Sequence, residues 1–361
     1  MLKIRREVMK AVGAASDPAE LHQWLQSAIE LEHATIPTYL TALYSIKPAY
    51  NEAARQVLRS VVIEEMLHMT IAANLLNALG GSPRMDRPGF IPTFPGPLPM
   101  GIAGDLTVSL RKLTRGQVVN VFMVIEEPEE PLDLVVKQPS TEMFRAQAQA
   151  LPPAAQREFG TIGEFYEAIS NKIAGFGDGA FTGDPNRQVV DDRWFASDEL
   201  FAIQDVKTAQ KGIGIIVEQG EGTTTSPEDP EMVPAHYYRF AEIVYGRRLV
   251  RDPSAPGGQP WSFSGAPVGL NPAGVWNLYP DAKSVDYPGG SRARYLSDQF
   301  NSSYTNLLRC LEETFNGSPE NLKVALGIMI EMRLIAQELV ATAVPGTEMF
   351  CAPTFEYTPV L

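Results

Sequence analysis

Glu65 and His68 stand three residues apart in Val61-Val62-Ile63-Glu64-Glu65-Met66-Leu67-His68, inside a long alanine-rich stretch of helical periodicity. That spacing sets a carboxylate and an imidazole side by side on one helix face. An oxygen donor beside a nitrogen donor is half of a site for a transition-metal ion. In four-helix bundles, two such Glu-x-x-His pairs and one Glu from each remaining helix hold two ions. The full chemistry needs four inward carboxylates and two inward imidazoles. The pair alone is weak, because helices carry it by chance.

Glu32 is the first further candidate. It interrupts a stripe of Leu21, Leu25, Ala28, Thr35, Ile36, Tyr39 and Leu43. A charge there is costly unless it is paired or metal-bound. The ordinary alternative is a glutamate held by an arginine or tyrosine. Glu30 and Glu64 are expected to face away. The histidines are His22, His33, His68 and His236. His68 and His236 read as the two on apolar faces, the latter with Phe240, Ile243 and Val244. A hydrogen-bonded core histidine is the alternative for His236. Its carboxylate partner is Glu218, closing Ile215-Ile216-Val217-Glu218, with Glu221 as competitor. A loop over 219–235 then reads as an insertion into one helix. For the third helix, Glu164 shares a side with Gly160, Thr161 and Ala168, which fits a helix packed on both sides or a solvent-facing glutamate. Glu126, following Val119 and Phe122, is its rival.

The elements that must position these residues are mostly helical. Asp17 as N-cap, Pro18 at the first helical position and Glu20 at capping-box spacing open the first helix, which ends by Lys47-Pro48. The second runs from about Glu52 to Leu79 and stops at Gly80-Gly81-Ser82-Pro83. A Pro/Gly-rich loop fills 82–105. Further helices are expected over Thr114–Ile125, Pro153–Ile173, 207–218 and His236–Tyr245. The stretch 246–290 reads mostly as loop. Two last helices, about 295–316 and 318–342, form a hairpin. The class is mainly α, with a helical bundle at the centre.

Composition narrows the rest. The chain has 361 residues, 44% apolar, and a net charge of −13 from 30 basic and 43 acidic side chains. That balance argues against nucleic acid or an anionic membrane as partner. Cys310 and Cys351 make no disulfide framework and no C-x-x-C. No apolar run is long enough to span a bilayer and no signal peptide is evident, so a cytoplasmic location is expected. There is no G-x-S-x-G and no phosphate-binding G-x-x-x-x-G-K-[ST].

The segments ELEHATIPTYLTALYSIKP, VVIEEMLHMTIAANLLNALGGSP, TIGEFYEAI, IVEQGEG, HYYRFAEI and LKVALGIMIEMRLIAQELV together resemble the ferritin-like iminophenyl-pyruvate dimer synthase family. The same domain occurs in large violacein- and rebeccamycin-pathway proteins that couple indole-pyruvate imines. The resemblance, over about 17–345, implies a mainly α fold: a ferritin-like four-helix bundle with long loop insertions and an added C-terminal helical hairpin. It implies one domain over 1–361, with the core at about 17–245, a loop-rich insertion at 246–294 and the hairpin at 295–345. The implied metal ligands are Glu32, Glu65, His68, Glu164, Glu218 and His236. The resemblance favours Glu164 over Glu126 and leaves Glu218 against Glu221 open. Two iron ions, with manganese acceptable to the same donors, are the expected cofactor. The expected activity is oxidation of a small organic substrate with dioxygen or peroxide, such as oxidative coupling of amino-acid-derived imines. An iron-binding store without organic turnover is the alternative. A homo-oligomer is compatible with the sequence, which shows no clear interface for one.

Overall fold

A computed structural model describes residues 4–101, 106–136, 159–255 and 259–359. The helices that matter are α1 (Arg6–Ala14), α2 (His22–Tyr44) and α3 (Glu52–Ala78). A composite segment, α4, joins Arg115–Gln117, a π-helical turn Val118–Phe122 and Met123–Ile125. Then come α5 (Ile162–Phe176), α6 (Val206–Glu221) and α7 (His236–Tyr245). The chain closes with α8 (Arg292–Phe315) and α9 (Leu322–Val340).

The start of the first long helix differs in detail from the expectation. Asp17 does cap, accepting from the Ala19 amide at 2.7 Å, but the turn it opens is a 3-10 turn, Pro18–Leu21. Glu20 reaches back to the Ser16 amide at 2.9 Å rather than to Asp17. The α-helical register therefore begins only at His22.

Helices α2 and α3 pack along each other and form one side of the bundle; α4, and α6 continued by α7, form the other. Burial of Val57, Leu58, Val61, Leu67, Ile71 and Leu75 on α3 holds that helix inside the core. Each such side chain contributes about 1.5–3 kcal/mol. That apolar burial offsets the cost of bringing Glu65 and His68 into the same interior. At one end of the polar cluster Tyr39, Phe122 and Phe240 pack ring on ring, with centroids 4.9–5.3 Å apart. Helix α5 lies against α6 and α1.

Two regions depart from the sequence reading. The 246–290 stretch holds an antiparallel ribbon of Arg247–Arg251 and Trp261–Pro267, with Val135–Val136 parallel to its second strand. Leu249, Trp261 and Phe263 pack against Ala235, Tyr238 and Ala241, so the ribbon braces α7. Intervening arginines, serines and a glycine obscure its alternation in the sequence. The helix expected from Pro153 begins, among the described residues, at Ile162; residues 153–158 lie outside them.

The C-terminal hairpin of α8 and α9 is tied to the bundle through polar contacts. Tyr304 Oη lies 2.8 Å from His33 Nε2, and Asn77 donates to the Phe315 carbonyl at 2.6 Å. His33 is therefore a third buried histidine, beyond the two read as lying on apolar faces. Burial drives its pKa down to about 3, so it is a neutral structural link.

Candidate metal centre

Glu32 from α2, Glu65 and His68 from α3, Glu126 just past α4 and His236 at the start of α7 converge in the bundle, all at most 5% exposed. Their ligand atoms fall into two groups, Glu32–Glu65–His68 and Glu65–Glu126–His236, each within 4.8 Å. Glu65 belongs to both. His68 Nδ1 lies 3.7 Å from Glu32 Oε2. His236 Nδ1 lies 3.0 Å from Glu65 Oε1 and 3.4 Å from Glu126 Oε2. The two imidazoles lie 5.4 Å apart, nearly parallel.

Hydroxyl groups hold the outer carboxylate oxygens. Thr35 donates to Glu65 Oε2 at 2.9 Å and Tyr166 to Glu32 Oε1 at 2.6 Å. Tyr39 donates to Glu126 Oε1. Burial first, then the adjacent carboxylates, push both tyrosine pKa values well above their usual range, so the hydroxyls stay protonated donors. The tyrosine-held alternative for Glu32 is thus realised for one of its two oxygens. Tyr237 and Tyr238 are not among these donors; Tyr238 accepts from the Leu132 amide at 3.1 Å.

Glu164 and Glu218, expected as ligands, do not reach the cluster. The Glu164 carboxylate accepts from the Thr161 amide at 2.8 Å, closing the capping box that starts α5. A carboxylate at that position complements the free amides and positive end of the helix. Glu126 stands in the cluster instead. It follows Phe122 by one turn, and the π-helical turn before it adds a residue to the coil; such turns often mark functional sites. The Val119–Phe122–Glu126 face was the signal that could have identified it.

Glu218 is turned toward the 223–234 loop, where burial and the charges of Glu231 and Asp229 raise its pKa. Glu221 lines a narrow cavity of about 20 Å³ together with Glu32, Glu65, His68, Glu126 and Gly220. It follows Ile213, Ile216 and Val217 on the inward face, a signal that favours it over Glu218. Its Oε1 accepts from the Gly163 amide at 2.8 Å, at the N-terminus of α5. A Cβ on Gly163 would meet Glu221 Oε2 at 2.8 Å, so a larger residue there would push the carboxylate aside. Burial, with Glu126, Glu164 and Glu129 nearby, still pushes the Glu221 carboxyl up to about 8. Gly222, at φ +76°, ends α6, and the chain returns at Ala235 to start α7. The expected interruption between carboxylate and histidine is present.

The electrostatics of the cluster call for positive charge. Burial and the carboxylates of Glu126 and Glu32 raise the Glu65 pKa to about 7 despite the opposing His236. Burial alone would lower His68 and His236, but neighbouring carboxylates outweigh it and raise both. Without a cation, protons occupy the cluster. His236 Nδ1, although close to two carboxylates, is buried with no aligned hydrogen-bond partner. Two divalent cations would balance the four cavity carboxylates and take up that nitrogen. Carboxylate oxygen with neutral imidazole suits iron or manganese. The residues fit such a metal pair.

A ferritin-like family profile matches residues 25–245, the span holding every residue of the cluster. The chain belongs to the ferritin-like family. It is 26% identical over 328 residues to dichlorochromopyrrolate synthase of Lentzea aerocolonigenes, covering 84% of this chain and 30% of that protein. This chain thus spans less than a third of its curated relative. The crystal structure of a ferritin-like protein from Caulobacter vibrioides superposes with a TM-score of 0.58 at 24% identity, over 90% of this chain and 96% of that one. That likeness supports the fold. No described helix is long and apolar enough to cross a membrane.

Proposed function

We propose that this ferritin-like protein is a non-haem di-metal oxidoreductase, with iron as its resident metal, that uses dioxygen or peroxide to oxidise a small organic substrate. The observation that carries the reading is Glu65, a single buried carboxylate shared by two Glu/His donor groups. One of its oxygens faces His236 and the other accepts from Thr35, which fixes the carboxylate between the two groups. Glu32 with His68, and Glu126 with His236, would complete the two ends. Glu221 would supply the fourth carboxylate from the cavity wall. The bound metals would supply the redox chemistry and the site for the oxidant.

The chain's own side chains set the conditions for that chemistry. Tyr39, Tyr166 and Thr35 hold the outer carboxylate oxygens in place, so each ligand presents a fixed atom inward. Leu31, Ile125, Ile162, Ile216 and Val217 form the apolar part of the cavity wall and limit water. The likeness to a synthase of a chromopyrrolate, and the resemblance to imine-coupling domains, favour an amino-acid-derived imine or enamine as substrate and oxidative dimerisation as the reaction.

Metal analysis after iron-replete expression tests the first half of the reading. About two iron equivalents per chain are expected, and fewer than about half an equivalent would sink it. Oxygen consumption with imines generated from aromatic amino acids tests the second. Bound iron without any such turnover would leave an iron store instead.

A further inference from the structure

The two histidines have unlike partners on their outer nitrogens. His236 Nε2 lies 3.0 Å from Glu64 Oε2. Glu64 is in turn gripped by Arg239, which donates to its Oε1 at 2.8 Å and also to its other oxygen. The same guanidinium donates to Ser60 Oγ at 3.0 Å. His68 Nε2 instead meets a neutral amide oxygen, Gln219 Oε1, at 2.9 Å. Gln219 donates onward to Glu199 at 3.1 Å. Glu64, expected to face away, is thus drawn into the hydrogen bonding behind His236.

A carboxylate accepting the outer N–H of an imidazole strengthens the inner nitrogen as a metal donor and fixes the ring; a neutral amide does so less. The inner nitrogens differ in the same sense. His236 Nδ1 is 3.0 and 3.4 Å from two carboxylates, whereas His68 Nδ1 is 3.7 Å from Glu32. His236 thus has two carboxylates nearer its inner nitrogen than His68 has Glu32, and its ring is held by a charged group on a braced scaffold.

Resting on the two-metal reading above, we propose that the two metal positions are unequal and fill in order. The Glu65–Glu126–His236 position binds first and tighter, with Glu64 as its positioning residue. The Glu32–Glu65–His68 position binds second. The protein therefore passes through a form with one metal at His236, and exchanges metal more readily at His68.

Anaerobic titration of the metal-free full chain with Mn(II), followed by calorimetry and by anomalous diffraction at one equivalent, tests the order. Two binding steps at least about tenfold apart are expected, with the first ion beside His236. Glu64→Gln should weaken the tighter step about 10- to 100-fold and leave the weaker step within about threefold, because the outer partner of a metal-bound histidine carries that much affinity. Gln219→Glu, combined with Glu199→Gln to preserve a hydrogen-bond partner, should tighten the weaker step. The double variant and the wild-type diffraction decide the matter even if Glu64→Gln fails to fold. Equal affinities, or a first ion beside His68, would overturn the ordering while leaving the two-metal reading intact. No Mn(II) or Fe(II) binding at all would overturn both.

Discussion

The two halves of the cluster are built in opposite ways. Glu65 and His68 lie one turn apart on α3, next to Glu32 on the adjoining α2, so one half needs only two neighbouring helices. The other half gathers Glu126 from the end of α4, Glu221 from the last residue of α6 and His236 from the first residue of α7. Yet the scattered half is the more tightly braced in space. His236 is held by Glu64 and Arg239, and the ribbon of 247–251 and 261–267 packs behind α7. Compactness along the chain and rigidity in the fold are separate properties, and here they fall on opposite halves.

Removing the shared residue should have the largest effect. Glu65→Ala takes a donor from both halves, and metal content should drop from about two equivalents to nearly none; full retention would undo the shared role of Glu65. His68→Ala and His236→Ala should each lose about one equivalent, and removing either should leave the other position readable by diffraction. A variant in which both ions vanish with His68 alone would show the halves to be inseparable.

Glu126, inside the cluster, and Glu164, outside it, provide a sharper comparison. Glu126→Gln should weaken metal binding about 10- to 100-fold, an effect on the order of that seen around metal-ligating groups. Glu164→Gln should leave binding unchanged and cost about 1 kcal/mol in denaturant unfolding, the scale of a lost helix cap. The reverse pattern would return Glu164 to the cluster. Gly163→Ala should push the Glu221 carboxyl aside by contact while leaving Glu32, Glu65, His68, Glu126 and His236 in place, and its mark should be a changed metal affinity rather than a large loss of stability.

Acidity separates the protonated cluster from the metal-loaded one. In the metal-free protein Glu65 and Glu221 have pKa values of about 7 and 8, against the usual 4.5, and both cluster histidines are raised. The folded form then holds more protons than the unfolded chain from about pH 4.5 to 8. That stabilisation is full below the window and is lost as pH rises through it. Glu64, held near 2 because His236 and Arg239 outweigh its burial, acts in the opposite sense only below its usual pKa of 4.5. The melting temperature of the metal-free protein should therefore fall between pH 5.5 and 8.5, and bound metal should remove most of that fall. A metal-free melting temperature that climbs over this range would contradict a proton-filled cluster. The smallest effect is expected at Glu218, where Glu218→Gln should change stability by no more than about 0.5 kcal/mol and leave metal content alone.

Glu32, Glu65, His68 and His236 were legible because each falls at helical spacing among apolar residues that must turn inward. The stop at Gly80-Gly81-Ser82-Pro83 and the C-terminal hairpin were legible from local turn residues, whereas α6 runs on to Glu221, past the expected end at 218. Glu126 against Glu164, and Glu221 against Glu218, were legible only as open alternatives. Periodicity fixes which way a residue points around its own helix, but not where one helix lies along another, and a π-helical turn or a broken helix shifts that alignment. Glu164 also carries a strong local role, the capping box, that only the three-dimensional start of α5 makes visible. Glu64 was hidden because its partner, Arg239, approaches from a helix far along the chain. Sequence alone determined the inward donors of the uninterrupted helices. The tertiary structure decided which distant carboxylates join them, because a buried charge can settle only where packed neighbours bring counter-charge, hydrogen bonds or a cation to meet it.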